Sequence, residues 1–338
     1  MSATTYLIRD NGFAAMQMKE VERYRCEDYI SLMNENANAP RRSVSEEDLR
    51  SEGHASTSDA PAYVAPMNAY WRESICIWAF DIADRCDLSR EVVSVCMSYL
   101  DRFLSVAQQN RTISLDKPTL QLISATSMYL AAKLYEPRSK RLSVTSFVRV
   151  SQGLFTNEDM EEMERKMLSG LSWYMHPPTA LTYIRQILVA VSSKSNQQQR
   201  SGSMEGALAF FELARFLTEL SVCDYFFVTI RPSTVALASI MIAAQEVPVS
   251  NGAFGALVVL TAREVLDYQV GDLARALTRL RTGYYHTIGR DPGNCGTSDS
   301  KHQQHNGASS NNEHNSCSPH STTSSRHVSD SEDDMAVM

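Results

Sequence analysis

From Met67 to about His286 the chain places apolar residues three and four positions apart, in segment after segment, and nowhere sustains strict alternation. Residues three and four apart share one face of an α-helix, whereas a strand alternates faces at every residue. The pattern therefore argues against a sheet and for an all-α bundle. Helices are expected at 67–84, 89–106, 118–135, 143–151, 157–171 and 178–192. A second set is expected at 203–221, 232–246, 253–268 and 270–286. Pro118, Pro137, Gly153, Pro177, Pro178, Pro232 and Pro248 punctuate them. Proline has no N–H to give a helix interior but is pre-set for a first turn.

The ends read differently. Residues 1–65 are polar and mixed, an extension with one amphipathic helix expected near Met16 to Met33. NENANAPRRSVSEEDLRSEGHASTSDAP follows as a linker. Beyond Arg290 the chain turns to Ser, Asn, His and Gly and finishes in SDSEDDMAVM. That composition buries too little apolar surface to fold, so 289–338 is expected to be a disordered Ser/His/acidic tail. Its histidines (His302, His305, His314, His320, His327) are irregularly spaced, and no metal site is expected from them. Ser318-Pro319 is a minimal proline-directed phosphosite, and Ser329 and Ser331 lie among acids.

Four charged residues fall on apolar stripes inside the helical block. Arg72 is in phase with Ile75, Cys76, Ala79 and Ile82, and Asp101 with Met97, Leu100 and Leu104. Lys133 continues a line through Ile123, Thr126, Leu130 and Leu134, and Glu164 is flanked by Met160, Met163, Met167, Leu168 and Leu171. A charge facing a core or an interface is tolerated only when paired and hydrogen-bonded. Two cations and two anions suggest two pairs, one of which meets something outside the chain. A plainer reading makes Lys133 a solvated helix end near Glu136 and Glu164 the edge of its stripe.

A weak internal repeat separates these charges from the second half. SATSMYLAAK ends at Lys133 and ASIMIAAQ at Gln245; DRFLS begins at Asp101 and ARFLT at Ala214. The two displacements agree to within one residue. The second copy has Ala214 for Asp101 and Gln245 for Lys133, so the charges serve a task particular to the first copy.

Composition limits the rest. A net charge of −7 argues against nucleic acid as the main partner. Seven cysteines include no CxxC and no Cys/His metal spacing, and Cys76, Cys86 and Cys96 lie within helical patterns as reduced thiols do. The start, MSATTYLIRDNGF, has no basic segment leading an apolar core, and the greasiest run, Val235 to Ala244, is too short to span a membrane. The expected setting is intracellular, in the nucleus or cytoplasm. No nucleophile elbow, phosphate loop or metal-ligand set is seen, so the chain is not expected to be an enzyme or to hold a cofactor.

WRESICIWAFDIAD, SYLDRFLS, LQLISATSMYLAAKLYE and MERKMLSGLSW resemble, in order and spacing, the cyclin box of cell-cycle cyclins. The resemblance implies two tandem five-helix boxes, at 66–177 and 178–288, covering about two-thirds of the chain. SVCDYFFVTIRPSTVALASIMIAA is most similar to the D-type second box, and LSWYMHPPTA resembles cyclins of algal protists such as diatoms. No Arg-x-x-Leu destruction box is seen in the amino-terminal region to mark a mitotic member, and no Leu-x-Cys-x-Glu motif to mark a standard D-type one. The family marks its first box with residues matched here by Arg72, Asp101, Leu122, Lys133 and Glu164.

The resemblance implies that Arg72 and Asp101 form a scaffold ion pair, and that Lys133, Glu164 and Leu122 meet a cyclin-dependent serine/threonine kinase. It further implies that Trp71, Ile75 and Trp78, flanked by Asp81 and Gln121, form a shallow exposed groove for Arg-x-Leu-type motifs of substrates and inhibitors. Trp71 stands where the family usually has Met, and Ile75 where it has Leu. The plainer reading of this stripe is core. The function implied is regulatory: kinase binding and activation in cell-cycle control. The rivals are a transcription factor of the IIB type, which would show basic faces and a zinc ribbon, and a cyclin-box scaffold that binds no kinase.

Overall fold

Short polar side chains start the helices. In the computed structural model, which describes residues 3–38, 68–110, 113, 115–151, 153–195, 204–247 and 253–289, α3 (Ala69–Arg85) follows Asn68, whose side chain accepts from the Trp71 N–H. Helix α5 (Lys117–Tyr135) follows Asp116, which accepts from the Thr119 N–H at 2.8 Å, with Pro118 in its first turn. Helix α7 (Asn157–Gly170) carries a reciprocal cap: Thr156 accepts from the Asp159 N–H and Asp159 from the Thr156 N–H. Each such cap satisfies amides with no partner inside the helix and contributes about 1 kcal/mol.

With α4 (Glu91–Asn110) and α6 (Val144–Val150) these make a first set of five. The second set is α8 (Ala180–Ser195), α9 (Met204–Cys223), α10 (Pro232–Glu246), α11 (Ala253–Val265) and α12 (Val270–Thr287). All ten expected helices are present, with ends shifted by a few residues. Among the described residues there is no strand. The fold is all-α, as the periodicity required.

Two separate clusters of buried side chains form, one within each set. The third helix of each set is buried nearly all round: Ile123 to Ala132 on α5, and Ser233 to Ile240 on α10. A helix apolar on every side belongs in the middle of a bundle. The hydroxyls of Ser124, Thr126 and Ser127 donate to the carbonyls of Leu120, Leu122 and Ile123, so these polar groups are satisfied locally at a tight contact. The repeat read from sequence falls on matching helices. Asp101 on α4 corresponds to Ala214 on α9, which is fully buried, and Lys133 on α5 to Gln245 on α10, which is exposed.

The amino-terminal extension departs from expectation. Met16 to Met33 is not one helix: α1 (Ala3–Glu22) stops and α2 (Tyr29–Asn38) starts afresh. Asp28 accepts from the Ser31 N–H and Oγ–H, the signature of a helix start. The physical reason is that the two pieces serve different cores. Phe13 of α1 enters the second cluster, whereas Tyr29 and Met33 of α2 enter the first. The 39–65 part of the linker and the tail from Arg290, with its histidines and serines, lie outside the described residues.

Candidate functional site

Arg72 projects from α3 onto Asp101 of α4. Its Nε and Nη2 donate to the two carboxylate oxygens, each at 2.8 Å, a bidentate pair with side chains only 3% and 8% exposed. Burial works to lower the Arg72 guanidinium, but the charge and hydrogen bonds of Asp101 outweigh it and raise it above its ordinary value. The remaining Arg72 nitrogen, Nη1, donates to the carbonyls of Val222 at 2.8 Å and Cys223 at 3.4 Å. These lie in the last turn of α9, where carbonyls lack helical partners and a cation is favoured. Tyr29 of α2, fully buried, donates its O–H to Asp101 Oδ1 at 2.9 Å. Burial, and then the Asp101 charge, push the Tyr29 phenol well up, which keeps it a donor.

One buried ion pair thus joins α2, α3 and α4 to the end of α9. Two of these partners, Tyr29 and the α9 carbonyls, were not visible in the sequence. The Asp28–Ser31 spacing was the available signal for α2; nothing flagged the carbonyls.

Lys133 and Glu164 meet each other. Lys133 Nζ, in the last turn of α5, donates to Glu164 Oε1 of α7 at 2.8 Å and lies 5.2 Å from the centre of the Tyr129 ring. Their side chains are 43% and 15% exposed, so this pair sits at the surface edge of the first core. Burial pulls the Lys133 ammonium down, but the hydrogen bond and charge of Glu164 override it and hold the group above 10.5. Glu136, the partner of the plainer reading, is buried and accepts instead from the Ser89 N–H at 2.6 Å. Leu134 and Leu154, near this pair in sequence, are exposed apolar side chains. Leu122 is half-buried on the first half of α5.

The stripe on α3 lies partly within the first core. Ile75 is 6% exposed and belongs to the first core. Trp71 and Trp78 are half-buried against that core. The reason is the apolar character of α3 on both sides, which draws the middle of the stripe inward. Asp81 is paired with Arg85 one turn on, at 2.8 Å, and Gln121 is half-buried at the start of α5. Among the described residues no group of three or more His, Cys, Asp or Glu is placed to hold a metal, and no helix is long and apolar enough to cross a membrane.

Comparison with known proteins matches residues 44–176 to the family model described as cyclin, N-terminal domain, and residues 178–288 to that described as cyclin, C-terminal domain. The chain is 29% identical over 174 residues to G2/mitotic-specific cyclin-2 of Medicago sativa, covering 52% of this chain and 47% of that one. It is 28% identical over 177 residues to cyclin-A1-2 of Arabidopsis thaliana, covering 52% and 36%. The match thus spans half or less of either relative's length. Among solved structures, a viral cyclin from herpesvirus saimiri aligns at a TM-score of 0.43 and 16% identity, over 62% of this chain and 87% of that chain.

Proposed function

Because this chain belongs to the cyclin family, we propose that it is a regulatory subunit that binds and activates a cyclin-dependent serine/threonine kinase in cell-cycle control. The observation that carries the proposal is the Lys133–Glu164 pair. It stands half-exposed at the edge of a closely packed core, and the second set of helices has Gln245 where Lys133 stands in the first.

On this reading Lys133 donates to backbone carbonyls beside the kinase's αC helix, and Glu164 accepts from its N–H groups. Leu122 adds apolar contact. Kinase activity requires the αC glutamate to reach the lysine of the β3 strand and the activation loop to be ordered. A rigid helical platform that binds αC only in that position shifts the kinase toward its active state and supplies no bond chemistry itself. Moving a kinase from mostly inactive to mostly active takes a preference of about 5.5 kcal/mol between the two states. An exposed ion pair contributes about 0–1 kcal/mol. The pair therefore acts by being desolvated in the interface, together with apolar contacts such as Leu134.

Docking of Arg-x-Leu-type motifs is the finer part of the proposal. The outer edges of Trp71 and Trp78, with Asp81 and Gln121 beside them, are what remains for such a motif once Ile75 forms the floor. The test is reconstitution: the purified full chain is mixed with a monomeric cyclin-dependent kinase and histone as substrate. Stimulated phosphate transfer is the expected result. A folded chain that neither binds nor stimulates any such kinase from its own source would overturn the proposal and leave a scaffold.

A further inference from the structure

Cys76 and Cys223 are 147 positions apart in the chain, yet their sulfurs lie 3.4 Å apart. Cys76 is on the inner face of α3 and fully buried; Cys223 is the last residue of α9 and half-buried. The contact crosses from the first set of helices to the second, next to the buried Arg72, whose Nη1 bonds the Val222 and Cys223 carbonyls. From this geometry we propose that Cys76 and Cys223 are a peroxide-responsive dithiol whose oxidation to a disulfide clamps the two boxes together.

The surroundings divide the labour. The Cys76 S–H donates to Cys223 Sγ. That hydrogen bond, against the opposing effect of burial and with help from the Arg72 charge, lowers the Cys223 thiol below its ordinary value. Cys76, donating that bond and buried, is raised well above its own. A partly accessible thiol of lowered pKa, next to a buried arginine and in contact with a second thiol, is the arrangement of a redox-sensing cysteine with its resolving partner. The remaining described cysteines lack it: Cys26 and Cys96 are both raised by burial, and Cys86 has no cysteine partner.

The step balances with hydrogen peroxide as oxidant. The Cys223 thiolate attacks one peroxide oxygen, the O–O bond breaks, and the departing hydroxide takes up a proton to leave as water. Cys223 is then a sulfenic acid. Cys76 sulfur attacks it, the S–O bond breaks and the S–S bond forms; the Cys76 proton leaves with the hydroxide as a second water. Peroxide is reduced and two thiols are oxidised. A disulfide brings its sulfurs to about 2.05 Å, so the pair closes by little more than 1 Å. The second box is thereby tethered to the helix that carries the scaffold arginine.

The test uses the full chain, treated with a small excess of hydrogen peroxide and digested without reduction. The expected result is a Cys76–Cys223 cross-linked peptide, lighter by two hydrogens, formed ahead of any other cysteine product and reversed by dithiothreitol. In Cys223→Ser the cross-link disappears and Cys76 stays reduced. The oxidised wild-type chain should also melt at a higher temperature than the reduced chain, a reading that depends on no variant. Oxidation of Cys223 to sulfinic acid with Cys76 still free, or a first cross-link between other cysteines, would overturn the proposal.

Discussion

Among the described residues Arg72 is the most heavily bonded side chain, and its behaviour on substitution follows from its partners. It supplies two bonds to Asp101 and others to the end of α9. Replacing it with Ala strands a buried carboxylate, and breaking such a pair costs about 3–5 kcal/mol. Arg72→Lys should recover little of this, because one ammonium cannot make a planar two-pronged contact and reach the carbonyls at once. Urea denaturation of both variants checks this; a midpoint unchanged in Arg72→Ala would remove the scaffold role. Tyr29→Phe removes one hydrogen bond to a charged group and should lower stability by about 1.5–3 kcal/mol. It should do so far less in an Arg72→Ala/Asp101→Ala background, where the acceptor is gone. Equal losses in both backgrounds would show that the Tyr29 O–H does not act through Asp101. That each of the four charges needs a partner was legible from the sequence, because charge on an apolar stripe has few outcomes. That Lys133 and Glu164 would pair with each other was not, since only the packing of α7 against α5 sets that distance.

Among elements, α1 and α2 were the least legible. Apolar spacing from Met16 to Met33 reads as one stripe for one core, and spacing alone does not reveal that Phe13 and Tyr29 serve two. Glu20 shows the consequence. It is 2% exposed and accepts from the N–H and Oγ–H of Ser233, both at 2.7 Å, in the first turn of α10. Gln17 makes a matching pair of bonds with the Asp267 backbone. Helix α1 therefore completes the second box from outside it. Glu20→Ala leaves the Ser233 N–H and hydroxyl at the start of α10 without their partner and should cost about 1–3 kcal/mol. Faster hydrogen exchange in the first turn of α10 than elsewhere in that helix would confirm the route, and uniform exchange would contradict it. The pH dependence has a defined sign. Burial raises the Glu20 carboxyl above 4.5, against the lowering effect of Ser233 and Arg231. The folded chain then holds this proton more tightly than the unfolded chain. The Glu20 contribution to stability is thus best when protonated and declines as pH rises from 4.5 through the raised value. Subtracting the stability curve of Glu20→Gln from that of the wild type should reveal this decline; a flat difference would contradict it. The ten later helices were legible because prolines and caps cut the periodic pattern into lengths that match the elements. The burial of Ile75 was not legible, because periodicity shows that a face is apolar and not whether another helix covers it.

At the scale of the whole molecule, two similar sets of helices diverge in what they keep. The first keeps Asp101 and Lys133; the second replaces them with a buried Ala214 and an exposed Gln245. The amino-terminal helices and Arg72 tie the two sets together, while Lys133 and Glu164 stand on α5 and α7, which pack against α4 and α6 of the first set. Kinase binding is measured at that pair. The measurement is the affinity of a purified cyclin-dependent kinase for the wild-type chain and for Lys133→Ala/Glu164→Ala, with melting curves of both run alongside. Removing an exposed pair should shift stability by about 1 kcal/mol or less. Loss of desolvated interface partners should weaken kinase binding by about 2–5 kcal/mol, roughly thirtyfold or more. A folded double variant that binds and activates the kinase as well as the wild type does would contradict the account.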